Sequence, residues 1–520
     1  MWGTRRALAV LVRAACVAAA LGTYAAIAGS GCSSTSAPGA VSDASVDSSV
    51  DSAGPGADAG DDAPCFGCNL PDGHSCPPGS SLDCYVNTSC PKGGATKISG
   101  TVYDPLGRNP LPNIMVYVPK QSGKLPPIVT GTSSCSPCAT SIGDNDYVAF
   151  TFTDNAGHFI LSGVPTGKNV PLVVQSGKWR RAITVASVAD CAVTQLPNTG
   201  AAQARLPRNR IEGDMPQMAL LTGGCDNMAC FLYRVGVDVR EFGAPGAGQR
   251  VDVYQGLGAT GKGAALSNGV AGDCTTAACP LWSSKQALEA YDAVFMGCEC
   301  DEHNETKPAA GLLAMHDWLG EGGRVFATHS QATWFKNGSA DLQSIASWTN
   351  GPASGAAGPF TINDSFFGGM SLKTWLTNVG AADASGVVAL AAADVSTSVT
   401  SVSPATLAWM NDSSTAPDGG SAQMGNVKMF TAGTPVTPAD SGPVSYCGSI
   451  NFTDIHPGGG QAFPDATSDG SPAPASVPAA CDNSPLSAGE KALEYLLFDQ
   501  AACVLASPII PPPPPRPDGG

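Results

Sequence analysis

The 520-residue chain carries a formal net charge of −16, with only 13% charged residues beside 62 glycines and 42 prolines. That balance excludes a nucleic-acid partner, which needs a basic surface, and suits a loop-rich exported protein better than a helical intracellular one. Nineteen cysteines point to an oxidising compartment, where they serve as disulfide staples.

Arg5, Arg6 and Arg13 precede or open an apolar, Ala-rich run from about Ala14 to Ile27, the pattern of a signal peptide over residues 1–31. Ala28-Gly-Ser-Gly-Cys32 follows, so Cys32 is the expected lipidation site and mature N-terminus. Gly29 stands where such boxes usually carry Leu, which keeps ordinary cleavage and a secreted or periplasmic product as the alternative. Ser33 and Ser34 offer no inner-membrane retention signal, so the expected address is the cell envelope, as an outer-membrane lipoprotein. No later apolar run reaches the roughly 20 residues of a spanning helix, and membrane attachment therefore rests on the lipid at Cys32. Loss of the three arginines in 1–31 moves the net charge from −16 to −19.

Residues 32–64 hold six aspartates among Ser, Ala and Gly, with no aromatic and no basic residue, and read as a disordered tether. Residues 65–94 form a Cys-rich segment with too few apolar residues for a core. Close pairs recur along the chain: Cys65/Cys68, Cys135/Cys138, Cys225/Cys230, Cys274/Cys279 and Cys298/Cys300. Zinc or redox use of the CxxC pairs stays open, but neither has a second CxxC at zinc-ribbon distance, and local disulfides are the expectation. Without Cys16 and Cys32 the count is odd, so at least one thiol stays free.

Short alternating strands fill 95–210: Ile98–Tyr103, Ile114–Val118, Ala149–Phe152, Phe159–Leu161 and Pro171–Val174, separated by turns at Asp104-Pro-Leu-Gly107 and Asp154-Asn-Ala-Gly157. About seven such strands make a β-sandwich. Ser99-Gly-Thr-Val-Tyr103, Pro112-Asn-Ile-Met-Val116, Thr153-Asp-Asn-Ala-Gly-His-Phe159 and Val164-Pro-Thr-Gly167 resemble the carboxypeptidase regulatory-like, transthyretin-like domain over about 96–190. The resemblance implies an accessory module. His158 and Lys178-Trp-Arg-Arg181 are accordingly expected on a hairpin surface.

Residues 215–505 alternate β and α signals, which gives the fold class: α+β multidomain, a β-sandwich followed by a three-layer α/β domain with a mostly parallel sheet. Strands are expected at Met218–Leu221, Val251–Tyr254, Asp292–Met296, Arg324–Ala327 and Ser449–Phe452. Helices are expected from a Ser283/Gln286 capping box, through Leu312, Met315 and Leu319 with His316 packed on that face, and from a Ser487/Glu490 box through Leu497. Residues 506–520 form a Pro-rich disordered tail. Gly256-Leu-Gly-Ala-Thr-Gly-Lys262 has the wrong spacing for a phosphate loop.

In an open α/β sheet the site lies beyond the carboxyl ends of the strands. Those ends carry Cys298, Glu299, Cys300, Asp301, His329, Ser330, Asp454 and His456. Tyr291-Asp-Ala-Val, Trp318-Leu-Gly-Glu-Gly-Gly-Arg-Val-Phe-Ala-Thr-His-Ser330 and Gly448-Ser-Ile-Asn-Phe-Thr-Asp-Ile-His456 resemble the ThuA-like, trehalose-utilisation branch of the class I glutamine amidotransferase-like fold over 215–504. Long inserts at 256–282 and 336–445 depart from that compact pattern, and the amidotransferase Gly-x-Cys-x-Gly nucleophile elbow is missing. The resemblance implies a sugar-related role.

Two functions follow. One is a binding or structural lipoprotein for a saccharide or cell-surface protein, with a pocket at Glu299, Asp301, His329, Asp454 and His456. The other is an extracytoplasmic sugar-directed hydrolase or isomerase using His329, Ser330 and His456; adjacent residues such as His329 and Ser330 seldom point at one another. No cofactor is expected, save a metal at Glu299, His329 and His456 with Asp301 or His303 in support, set against histidines that merely bond loop backbone.

Overall fold

The computed structural model describes residues 75–77, 79–131, 146–259, 270–355, 357–412, 426–436, 447–457, 481 and 483–501. The signal segment, Cys32, the tether, Cys65, Cys68, Cys135, Cys138 and the 506–520 tail lie outside them. No helix among the described residues is long and apolar enough to cross a membrane.

The first seven strands are β1 (Lys97–Thr101), β2 (Met115–Pro119), β3 (Tyr147–Phe152), β4 (His158–Ser162), β5 (Gly167–Ser176), β6 (Trp179–Val188) and β7 (Val193–Gln195). They form two sheets, in the orders β4-β1-β7 and β3-β2-β5-β6. Ile98, Val116, Val118, Leu161, Leu172 and Val174 fill the core, set on alternating inward positions as a sandwich requires. The described part of the Cys-rich segment packs on this core through Leu82 and Tyr85. Disulfides Cys76–Cys84 and Cys90–Cys191 fasten it.

The expected hairpin surface at Lys178–Arg181 is corrected. This stretch opens β6, where Ile183 and Val185 supply the inward alternation. Trp179 is buried edge-to-face on Phe498, Lys178 pairs with Asp292, and Arg180 pairs with Asp214. Only His158 lies on the surface as expected.

The chain then builds an eleven-stranded mixed sheet. Its strands are β8 (Met218–Thr222), β9 (Phe242–Gly243), β10 (Val251–Gln255), β11 (Gly272–Asp273), β12 (Ala293–Met296), β13 (Arg324–Thr328), β15 (Gly358–Ile362), β16 (Val387–Leu390), β18 (Leu407–Asp412), β19 (Val427–Thr434) and β20 (Gly448–Thr453), while β14 (Ala346–Ser354) pairs separately with β17 (Ser396–Val402). The order β11-β10-β8-β12-β13-β20 is parallel throughout. From β20 the sheet continues antiparallel through β19, β18, β15 and β16. The insert at 336–445 thus supplies the antiparallel half of the sheet.

The helices are α1 (Met228–Val235), α2 (Lys285–Glu289), α3 (Ala309–Gly320), α4 (Thr333–Lys336), α5 (Ala340–Gln343), α6 (Phe367–Asn378) and α7 (Ala488–Ala501). The cap of α2 is Ser284, which accepts from Ala287 N, one residue later than expected. Before α7 the Ser487/Glu490 box closes both ways, with Ser487 N donating to Glu490 and Glu490 N to the Ser487 hydroxyl. His316 lies at the helix surface between Asp317 and Asp341 rather than packed within.

Helices α6 and α7 join the sandwich to the α/β lobe. Asn109 donates to Glu494 at 2.7 Å, and Trp375 Nε1 donates to Pro110 O at 2.5 Å. Glu494 and Asp104 are both buried and face each other. Burial, and then the neighbouring Asp104 charge, push the Glu494 carboxyl well above its ordinary range; burial likewise raises Asp104. A raised folded-state pKa stabilises the fold below the unfolded value of about 4.3 and loses that contribution as pH rises through the folded value. Thermal melts should therefore fall from pH 5 to pH 8, and Glu494→Gln should flatten that dependence. An unchanged slope in the variant would remove the buried Glu494 carboxyl from the account.

Candidate functional site

Four neighbouring parallel strands, β8, β12, β13 and β20, deliver their carboxyl ends to one place. Just past them stand Asp226, Cys298, His329 and His456, all buried. Close approach of the loops is required here: a Cβ on Gly223 would lie 1.9 Å from Cys298 O, so only glycine fits. The loop after β8 is held by Cys225 N donating to Cys298 O at 3.0 Å, and by the disulfide Cys225–Cys300.

His329 opens a 3-10 turn over His329–Ala332 with a φ of +39°. A β-strand feeding a helical turn through a non-glycine residue at positive φ is a strained geometry that packing must hold in place. The bend projects His329 Nδ1 to 3.1 Å from Cys298 Sγ. The rings of His329 and His456 meet edge-to-face with centroids 5.1 Å apart. His456 Nδ1 bonds Asp226 Oδ1 at 2.6 Å, and its Nε2 meets the Ser396 hydroxyl at 2.7 Å. The other Asp226 oxygen accepts from Cys298 N at 2.9 Å and from the Thr328 hydroxyl.

Electrostatics split the cluster. Burial, reinforced by His456, pushes His329 down to about 4. Burial would also lower His456, but Asp226, with Asp454 and Asp394, holds it above its ordinary value. Burial and the Asp226 charge raise the Cys298 thiol to about 12. At neutral pH the Cys298–His329 pair is therefore neutral, a thiol beside an imidazole, and not an ion-paired thiolate nucleophile.

The β14–β17 pair covers these strand ends. Ser396 N donates to Asp454 O at 2.8 Å, and Ser398 N to the Asp454 carboxylate at 2.7 Å. Lys428, buried and pushed down in pKa by that burial, donates to Thr397 Oγ1 at 2.7 Å. Between the cover and the sheet lies a narrow cleft lined by Glu302, His329, Ser330, Lys336, Thr349 and Ser398 with one alanine. Lys336 and Glu302 form an ion pair across it.

Several expected site residues stand elsewhere. Glu299 is not a ligand facing the histidines: its carboxylate is fully buried, accepts from Lys307 Nζ at 2.7 Å, and also receives Leu257 N and Gln331 Nε2. Asp301 is exposed and only caps Glu302 N. Asp454 is buried, with one oxygen accepting from Ser398 N, the other without a hydrogen-bond partner, and its pKa raised by burial. His303 pairs with Glu305 at the surface. Ser330 does line the cleft, and its hydroxyl accepts from Glu299 N at 3.0 Å rather than facing His329.

The local disulfide expectation holds at one described pair, Cys274–Cys279. Cys225 and Cys230 do not join; Cys225 reaches Cys300 and Cys230 reaches Cys481. Cys298 is the free thiol among the described residues. Sequence reasoning missed Asp226, Glu302, Lys307, Lys336, Ser396 and Ser398. Of these, Asp226 was within reach, because it stands four residues past β8 at a strand end.

Fold and site define a mixed α+β protein with a polar cleft at its parallel strand ends. No family model matches the chain, and no curated protein matches it. Among solved structures, a type II cohesin–X-dockerin complex from Acetivibrio cellulolyticus is similar at 15% identity and a TM-score of 0.13, covering 29% of this chain and 75% of that one. A 9R-lipoxygenase from Cyanothece is similar at 15% identity and a TM-score of 0.11, covering 23% of this chain and 18% of that one. At those scores the functional reading rests on the site's own residues.

The Lys307–Glu299 pair should be structural. Removing one partner of a buried pair leaves an uncompensated charge, at a cost of about 3–5 kcal/mol. Lys307→Ala is expected to show that loss in denaturant unfolding, whereas a change below about 1 kcal/mol would mean that water reaches the carboxylate.

Proposed function

We propose that this chain is an exported cell-envelope lipoprotein, a carboxypeptidase regulatory-like sandwich followed by a degenerate ThuA-like domain, whose strand-end cleft binds a saccharide unit. The observation that carries this reading is the lining of the cleft: hydroxyls of Ser330, Ser398 and Thr349 beside the Glu302–Lys336 pair, with one alanine. A ring bearing many hydroxyls matches alternating donors and acceptors of that kind. Five disulfides among the described residues agree with folding outside a reducing cytosol. A cell-surface protein remains the rival ligand.

A second reading, turnover of the sugar by hydrolysis or isomerisation, draws on the Asp226–His456 hydrogen bond, since a buried carboxylate orients an imidazole for base work. Against it stand a histidine at the elbow where a nucleophile would sit and a protonated Cys298.

Saturation-transfer NMR with a panel of free monosaccharides should detect binding to the purified chain, weakened at least about tenfold in Lys336→Ala and Glu302→Ala, the loss of one charged hydrogen bond. Absence of any saccharide signal, or signals that neither variant changes, would retire the sugar reading. Separately, full-length protein expressed with its leader should partition into detergent, and Cys32→Ser should move it to the aqueous phase. Equal partitioning of both would leave the lipid anchor without support.

A further inference from the structure

A free thiol and two of the six histidines converge beside the cleft, which His329 alone of the three lines, and neither sugar binding nor the fold uses all of their donor atoms. We propose that Cys298, His329 and His456 hold one thiophilic transition-metal ion of the Zn²⁺ class. Each residue offers one donor atom, and the three atoms lie within 4.8 Å of one another. Tetrahedral zinc, with Zn–S near 2.3 Å and Zn–N near 2.0–2.1 Å, needs ligand atoms roughly 3.5 Å apart, within the range this cluster reaches by small side-chain rotations.

Two further observations point to an ion. His329 Nε2 is buried and has no hydrogen-bond partner, an exception among buried polar atoms that asks for an explanation. His456 gives Nδ1 to the buried Asp226 carboxylate, the carboxylate–histidine arrangement that fixes the tautomer and leaves Nε2 as ligand; the Ser396 hydroxyl now on Nε2 yields to the ion. The nearby carboxylates do not join. Glu299 is spent on Lys307, and Asp454, which gives one oxygen to Ser398 and keeps the other buried without a hydrogen-bond partner, is not one of the three residues whose donor atoms converge. One sulfur and two imidazoles select zinc or copper over magnesium or calcium. On binding, Cys298 forms the metal–sulfur bond and releases its thiol proton to solvent. His329 also lines the cleft, so the fourth position of the ion opens toward it, as in catalytic rather than structural zinc sites.

The ion does not depend on the saccharide reading, and the two fail separately. Metal-stripped, disulfide-intact full chain is titrated calorimetrically with Zn²⁺ and spectroscopically with Co²⁺. The expected result is one ion per chain and a near-ultraviolet thiolate-to-Co²⁺ band that Cys298→Ser abolishes. His456→Ala should weaken Zn²⁺ binding at least about 100-fold and Asp226→Asn, which keeps every ligand, about 10–100-fold. The Asp226 variant carries the test if Cys298→Ser does not fold. Failure of the wild-type chain to take up one equivalent, or uptake that Cys298→Ser and Asp226→Asn both leave unchanged, overturns the proposal, whatever the chain does with sugars.

Discussion

One buried carboxylate holds the working end of the sheet together. Asp226 follows β8, yet its two oxygens bind Cys298 N after β12, the Thr328 hydroxyl at the end of β13 and His456 after β20. Four adjacent strands thus share one acceptor. A carboxylate in that position is tolerable only because every lone pair it turns inward meets a donor. The same charge sets the protonation of its neighbours, holding His456 up and raising the Cys298 thiol.

The cover over this end comes from the segment that most departs from a compact α/β domain. Residues 346–354 and 396–402 leave the main sheet, pair with each other and return hydrogen bonds to Asp454 and His456. The remainder of the insert continues the sheet past β20. A purely parallel sheet would leave β20 as an exposed edge, a template for unwanted pairing; β19 occupies that edge antiparallel along its full length. The insert therefore closes the edge and roofs the site in one excursion.

Strand positions were largely legible because buried parallel strands read as short apolar runs, as at Met218–Leu221, Asp292–Met296 and Arg324–Ala327, and the structure places strands there. β6 escaped because Lys178-Trp-Arg-Arg181 looks like solvated surface, and only the burial of its charges against Asp214 and Asp292 makes it a strand end. The antiparallel half escaped for another reason. Its strands carry polar residues at inward positions, as at Asn411 in β18 and Lys428 and Thr434 in β19, so alternation of polarity does not follow alternation of burial. At the site, His329 and His456 were found from strand-end logic alone, while Glu299 was misplaced because nothing in the sequence says that Lys307, eight residues on, folds back to take its charge.

That misplacement bears on the chemistry. With Glu299 neutralised by Lys307 and His329 kept neutral by burial, the charges acting on the inner cluster are Asp226, Asp454 and Asp394 around His456 and Lys428 toward His329. Such a cluster has no group poised as a nucleophile, and its strained His329 turn stores conformational energy without a thiolate or alkoxide to present. The strain makes sense if the turn exists to aim an imidazole nitrogen at a fixed point, since a ligand atom needs exact direction whereas a packing side chain does not. Direction, more than basicity, is what the elbow supplies, and it is supplied where a sulfur and a second imidazole already converge.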